Sequence, residues 1–278
     1  MTEIKITKMH GCGNDFVFMD YEEFIKTAMP VSELAKKLCD RHFGIGADGL
    51  IIPLPYEGED ADIAWHYYNS DGTTAQMCGN GMRCFARYVY DRKLVKGKTF
   101  RVKTLAGVIK PEMQDDGNIK VNMGKPVLTD WLIPFKGEKT ITVQDKTFEI
   151  FPVSMGNPHC IIFTDENTLE MAEKYGPDIE VHPYFPQKTN TEFVRVITTK
   201  DVEMSVYERG CGITLACGTG SCATVVACVL NNLTENRVKV NLPGGSVFVE
   251  WQGSQGDVEH DVFLIGPAEY SFYADFML

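Results

Sequence analysis

The chain has 278 residues, 44% apolar and 23% charged, a globular composition with room for two domains of ordinary size. Its 27 basic residues against 38 acidic ones give a net charge of −11, which argues against nucleic acid or an anionic membrane as a partner. Met1 to His10 has no apolar core of a secretory leader, the apolar stretch Cys222 to Leu230 is too short for a bilayer, and none of the nine cysteines forms C-x-x-C; we expect a cytoplasmic protein with free thiols and no structural zinc.

Ile4 to Lys8 alternates as a strand, and Gly13-Asn14-Asp15-Phe16 reads as a turn entering another. Val31, Leu34, Ala35 and Leu38 recur at helical spacing within 31–42. Gly44-Ile45-Gly46-Ala47-Asp48-Gly49 fits G-x-G-x-x-G, but it follows a helix and precedes the strand Leu50 to Pro53. A dinucleotide fingerprint needs strand, loop and helix in that order, so neither nicotinamide nor flavin is expected. Strands are predicted at 63–68, 100–103, 119–123, 140–143, 148–153, 202–207 and 238–241, and long helices at 80–94 and 219–233. Lys125 to Pro134 reads as the linker. Most gaps between strands are too short for crossover helices. This predicts a mostly antiparallel sheet around one long helix per half, rather than βαβ units.

The chain also repeats itself. A shift of 139 lays Tyr68-Asn69 on Tyr207-Glu208, and Cys78-Gly79-Asn80-Gly81 on Cys217-Gly218-Thr219-Gly220. Upstream, Gly13-Asn14 has a counterpart in Gly156-Asn157-Pro158-His159. Order and chemistry repeat together, which reads as an ancient duplication giving two similar domains with a cleft between them. Each Cys-Gly-x-Gly opens a predicted helix. A thiol there feels the positive end of the helix dipole, which favours thiolate. The glycines let backbone N–H groups approach a carboxylate closely. Two such units facing one carbon could take a proton from one side and return one to the other. Cys39, Cys84, Cys160, Cys222 and Cys228 have apolar neighbours and read as small core residues. Glu208-Arg209 ends a strand before the second cysteine loop. There Glu208 could set a thiol's protonation and Arg209 could pair with a substrate carboxylate. Asn14, Asn69 and Asn190 lie beside these loops, and an amide's donor and acceptor suit a zwitterionic amino-acid head.

Taken in order, five pieces resemble the diaminopimelate epimerase family and span most of the chain. They are Gly11-Cys12-Gly13-Asn14-Asp15-Phe16-Val17, Asn69 to Gly72 running through Met77 to Cys84, Gly156-Asn157-Pro158-His159, Asn190-Thr191-Glu192-Phe193-Val194, and Glu208 to Gly212 running to Ala216 through Gly220. The resemblance implies an α/β (α+β) fold of two pseudo-symmetric domains, each a mostly antiparallel sheet wrapped around a central helix. The N-terminal domain would cover 1–125, with a C-terminal strand at 268–278 returning to it, and the C-terminal domain 126–267. Cys78 and Cys217 would be the catalytic acid–base pair, with His159 and Glu208 supporting their protonation states. Asn14, Asn69, Asn157, Asn190, Glu208 and Arg209 would contact substrate. Backbone N–H groups at Gly79-Asn80 and Gly218-Thr219 would hold the reacting carboxylate. The resemblance further implies no metal, no pyridoxal phosphate or other cofactor, and a homodimer. Thr73 and Gln76 stand where Ser and Glu are common, and Gly49 where some members carry a substrate-contacting Gln.

The implied reaction inverts one α-carbon of LL-2,6-diaminopimelate to give the meso form, for lysine and peptidoglycan synthesis. A free thiol titrates near ~8.5, far below an α-proton. The helix N-termini must therefore stabilise charge developing on the carboxylate, and domain closure would exclude water. Two rival readings are another cofactor-independent amino-acid racemase on the same fold, acting for example on proline, hydroxyproline or histidine, and a non-catalytic or redox-sensing protein with two reactive thiols. The first is told apart by whether Asn69, Asn190 and Arg209 matter. The second would exchange no α-proton.

Overall fold

The computed structural model describes residues 2–74 and 77–278, so Gln76 lies outside the described residues. The chain divides into two compact units, Met1–Val121 with Gly266–Leu278, and Asn122–Ile265.

In the first unit, β1 (Glu3–Gly11) and β2 (Asn14–Phe18) form a hairpin. Its turn residues Cys12 and Gly13 both have positive φ, 53° and 85°. α1 (Tyr21–Thr27) and α2 (Val31–Cys39) carry the chain to β3 (Gly49–Leu54), parallel to β2. β4 (Ile63–Asn69) returns antiparallel, α3 (Gly79–Asp91) crosses over, and β5 (Val102–Thr104) lies parallel to β4. β6 (Gly107–Ile109) pairs antiparallel with β5, and β7 (Glu112–Met113) and β8 (Ile119–Asn122) make a short hairpin.

In the second unit, β9 (Thr140–Val143) and β10 (Lys146–Glu149) form a two-stranded sheet. β11 (Phe151–Ser154) and β12 (Pro158–Phe163) pair antiparallel, and α4 (Thr168–Glu180) crosses to β13 (Asn190–Thr198), parallel to β12. β14 (Asp201–Glu208) returns antiparallel with the short β15 (Gly212–Ile213) against it. α5 (Gly218–Leu230) crosses to β16 (Arg237–Leu242), parallel to β14, and β17 (Gly245–Trp251) and β18 (Val262–Gly266) follow antiparallel. The final strand, β19 (Glu269–Met277), pairs with β1 in the first unit.

Both sheets follow one path, β1-β2-β3-β4-β5-β6 and β11-β12-β13-β14-β16-β17, with parallel steps at the second and fourth positions of each. Antiparallel pairs are the majority, as expected. The expectation that βαβ units are absent is corrected: each parallel step is bridged by a helix. α4 hides from a periodicity reading because Gly176 and Pro177 interrupt it. Its start is nonetheless capped by Asn167, whose side chain accepts from the N–H groups of Leu169 and Glu170.

Alternation along the strands decides what faces each helix. Val17, Leu50 and Ile52 pack with Leu34, Ala35 and Leu38 of α2. Phe18, pointing the other way, stacks on Tyr88 of α3 at 4.8 Å. In the second unit Cys160, Ile162 and Phe193 pack with Met171, Tyr175 and Ile179 of α4, which leaves His159 and Glu192 on the α5 face. Ten of the thirteen residues of α3, and ten of the thirteen of α5, are buried. Both are therefore largely enclosed, and α5 is apolar nearly all round, as a central helix should be.

The buried thiols make an alkaline prediction. Burial pushes Cys39 and Cys228 up to about 12, whereas an unfolded thiol titrates near ~8.5. Between those values the unfolded chain has lost a proton that the folded chain keeps, so stability falls as pH rises. Each thiol costs about 1.4 kcal/mol per pH unit in that window. Urea midpoints should drop steeply above about pH 9, and Cys39→Ala with Cys228→Ala should flatten the slope. A midpoint that holds steady through this range would contradict the account.

Candidate active site

Cys78 is the N-cap of α3. Its backbone is extended (φ −141°, ψ 118°), and its Sγ accepts from the Gly81 N–H at 3.3 Å. The helical ladder starts with Met82 N–H on the Cys78 carbonyl at 2.7 Å, so the N–H groups of Gly79 and Asn80 belong to the open end of the helix. Asn14, at the start of β2, turns its Oδ1 here. That oxygen accepts from the Cys78 thiol at 3.7 Å and from Asn80 Nδ2 at 3.2 Å.

The Asn14 orientation is forced. Its Nδ2 donates to Asp48 Oδ2 at 2.6 Å, and a carboxylate can only accept. Asp48 is held by the Asp15 backbone N–H at 3.1 Å and by Arg41 at 2.8 Å. Arg41 and Lys8 in turn pair with Asp15 at 3.0 and 2.6 Å. The glycine-rich loop before β3 thus serves as the mount for Asp48. Its N–H groups at Gly44, Ile45, Gly46 and Ala47 bond to carbonyls at the end of α2. A Cβ at Gly49 would come within 2.7 Å of the Tyr68 carbonyl oxygen, so this backbone leaves no room for a side chain there. Asn69, at the end of β4, accepts from the Tyr67 hydroxyl and donates to Thr73, both at 3.0 Å. Tyr67 was not singled out from the sequence. Burial, and then the neighbouring Cys78, push its hydroxyl well above the usual phenol range.

Cys217 caps α5 with the same backbone (φ −118°, ψ 112°). Its Sγ accepts from Gly220 N–H at 3.3 Å and lies 3.6 Å from the Thr219 hydroxyl. Its surroundings are different. Burial pushes this thiol well above the usual range, and Glu208 and Glu192 push it further, while Thr219 and Gly220 offset only part. A helix end was expected to favour thiolate. At Cys217 desolvation beside two carboxyl groups outweighs the partial charge of the helix end. Glu208, at the end of β14, is itself raised by burial and by Glu192, with the Thr214 hydroxyl bonded to its Oε1 and the Cys217 thiol close by.

His159 is fully buried on β12. Its Nδ1 lies 2.7 Å from Glu192 Oε1 and its Nε2 3.0 Å from Asn157 Oδ1. Both ring nitrogens are thus occupied by neighbours other than the thiol. Asn190 donates from Nδ2 to the Pro158 carbonyl at 2.8 Å and accepts the Arg209 N–H on Oδ1 at 3.0 Å. It therefore pins the loop that carries Arg209, whose exposed side chain bonds the Gln187 carbonyl at 3.2 Å. In all, the first unit gathers Cys78, Gly79, Asn80, Asn14 and Asn69, and the second Cys217, Gly218, Thr219, Glu208, His159, Asn157, Asn190 and Arg209. Glu192 and Asp48 were missed as site residues. The one sequence signal for Glu192 was its place inside the motif Asn190-Thr191-Glu192-Phe193-Val194; that the strand Asn190–Thr198 is buried through Val194 came only from the structure.

Among the described residues no group of three or more His, Cys, Asp or Glu is arranged to hold a metal ion, and no helix is long and apolar enough to cross a membrane. A family profile described as diaminopimelate epimerase matches residues 6–129 and 151–270. A protein named diaminopimelate epimerase from Desulfitobacterium hafniense is 45% identical over 280 residues, 97% of this chain and 96% of that one. Among solved structures, a PhzF-family phenazine biosynthesis protein from Bacillus anthracis matches with a TM-score of 0.74 at 18% identity, over 100% of both chains. A hydroxyproline epimerase from Agrobacterium vitis, with trans-4-hydroxy-L-proline bound, matches with a TM-score of 0.70 at 13% identity, over 98% of this chain and 92% of that one. At those identities the two structures establish the fold. The profile and the near-full-length relative establish descent, and the chain belongs to the diaminopimelate epimerase family.

Proposed function

We propose that the chain interconverts LL- and meso-diaminopimelate by moving one proton at an α-carbon between two cysteines, with neither a metal nor pyridoxal phosphate. The observation that carries this reading is the pair of cysteine N-caps. Cys78 and Cys217 are each extended, each bonded to the third N–H of their helix, and each placed after the same strand of one repeated sheet path. The first-turn N–H groups of Gly79 and Asn80, and of Gly218 and Thr219, are donors of the kind that stabilise a carboxylate as the carbanion beside it forms. Cys217, kept protonated by burial beside Glu208 and Glu192, starts as the acid, and Cys78, which donates to Asn14 Oδ1 in the free protein, must give up that proton before it acts as the base. The α-proton passes to Cys78 Sγ, and the Cys217 thiol gives its proton to the opposite face of the carbon. The two sulfurs end with their roles exchanged. His159 and Glu208 support these states. Asn14, Asn69, Asn157, Asn190, Glu208 and Arg209 hold the substrate.

The distal amino-acid head selects diaminopimelate through Asn69, Asn190 and Arg209, because a site that bonds a polar group rejects an analogue lacking it by large factors. The activity serves lysine and peptidoglycan precursor synthesis in the cytoplasm. We include a homodimer in the proposal. β19 is the edge strand of its sheet and leaves Phe272 and Tyr273 44% and 65% exposed, a surface that a second copy could cover.

The test is incubation of reduced protein with LL-diaminopimelate in D2O, followed by chiral separation and mass spectrometry. Deuterated meso product, with little deuterium in the early residual substrate, is the expected result. Folded protein with free thiols that neither converts nor exchanges this substrate would refute the reading.

A further inference from the structure

The two cysteine caps share a backbone but rest on different chemistry. Phe16 and Gly49 are parallel partners across β2 and β3, as His159 and Asn190 are across β12 and β13. Asn69 faces Gly49, and Glu208 lies one step past the Thr191–Tyr207 pair. In this register Phe16 corresponds to His159, and Ile51 to Glu192. The glycines above agree. A Cβ at Gly81 would meet Ile51 Cδ1 at 3.2 Å and Phe16 Cζ at 3.4 Å, whereas one at Gly220 would meet Glu192 Oε1 at 2.7 Å. Beneath the first turn at Gly81 lies hydrocarbon. Beneath Cys217 lies a carboxyl–imidazole pair.

Glu192 is fully buried, and its Oε2 has no hydrogen-bond partner among the described residues. Such an oxygen is costly. A chain that needed only packing here could carry the isoleucine its first half carries. The groups around Glu192 are the ones whose protons matter: His159 from β12, Glu208 from β14, and Cys217 at the head of α5. Of the other strands against α5, β11 brings no titratable side chain, and β17 brings only Glu250, paired with Arg237 at 2.9 Å.

We propose that Glu192 is a positioning residue of the epimerase: it fixes the His159 ring and keeps the proton on Cys217, so that two like cysteines begin each turnover in opposite states. The role rests on the paired-thiol reading above, but its test uses no substrate. Glu192→Gln keeps the shape and removes the charge. Cys217 is followed in a Cys78→Ala background, and Cys78 in a Cys217→Ala background, by the pH dependence of iodoacetamide alkylation, mapped to each cysteine by mass spectrometry. Glu192→Gln should lower the Cys217 midpoint by about one pH unit and raise its alkylation rate below the midpoint about tenfold, with Cys78 unmoved. An unchanged Cys217 midpoint, or equal shifts at both cysteines, would overturn the proposal. If the variant does not fold, the unsubstituted protein decides. Nitrogen-15 NMR should find a hydrogen on His159 Nδ1, the nitrogen that faces Glu192 Oε1 at 2.7 Å, and an Nδ1 without one would overturn the assignment. A wrong substrate would show instead as absent α-proton exchange, with these curves still interpretable.

Discussion

Replacing Cys217 with alanine should lower kcat/KM for epimerisation by at least about a thousandfold, the scale of a lost general acid or base. Replacing Cys78 should do the same. The reason is stoichiometric. With one sulfur gone, a proton can be taken from one face but not returned to the other. The two variants should nonetheless differ in D2O. If Cys78 starts as the base, Cys217→Ala retains slow α-deuterium exchange without inversion, and Cys78→Ala loses both. Each variant also loses a cap acceptor, for Gly220 N–H or Gly81 N–H, which costs about 1 kcal/mol of stability. Circular dichroism should therefore find both folded, with slightly lower melting temperatures. Inversion at the unsubstituted rate in either variant would remove the paired-thiol mechanism.

Gly220→Ala should cost far more activity than Gly81→Ala, although the two glycines hold equivalent places. At Gly81 the new methyl approaches the end of the Ile51 side chain at 3.2 Å, and a small rotation relieves it. At Gly220 the methyl lands 2.7 Å from Glu192 Oε1 and 3.2 Å from Cys217 Sγ. Glu192 must then withdraw from His159, and the bond at 2.7 Å between two fully buried groups is lost. Overpacking and a lost buried hydrogen bond each cost about 1–3 kcal/mol. We expect kcat/KM about a hundredfold lower for Gly220→Ala, on the scale of a displaced catalytic group, and within about threefold of the parent for Gly81→Ala, as for a tolerated apolar contact. Equal effects in steady-state assays would show that the two caps rest on equivalent ground.

What the sequence determined by itself is local or repeated. Cysteine followed by Gly-x-Gly places a thiol on a helix end because capping needs only the residues of one turn. Alternation in β4 and β14 was legible because strand burial has period two. The duplication was legible because chemistry recurs at one spacing, and the family because five motifs recur in order. Three of the four crossover segments, those of α2, α3 and α5, were read as helical, but the parallel register they impose was not, because strand pairing is set by the whole sheet.

The surroundings of each cysteine were decided only by tertiary structure. Asn14 and Asp48 are 34 residues apart, and Asp48 forces the amide orientation that Cys78 meets. His159 and Glu192 are 33 apart, and Glu192 reaches the space beneath Gly220 only through the register of β13. A helix end favours thiolate wherever it occurs. Whether that preference survives depends on burial and on charges carried by other strands, and at Cys217 those reverse it.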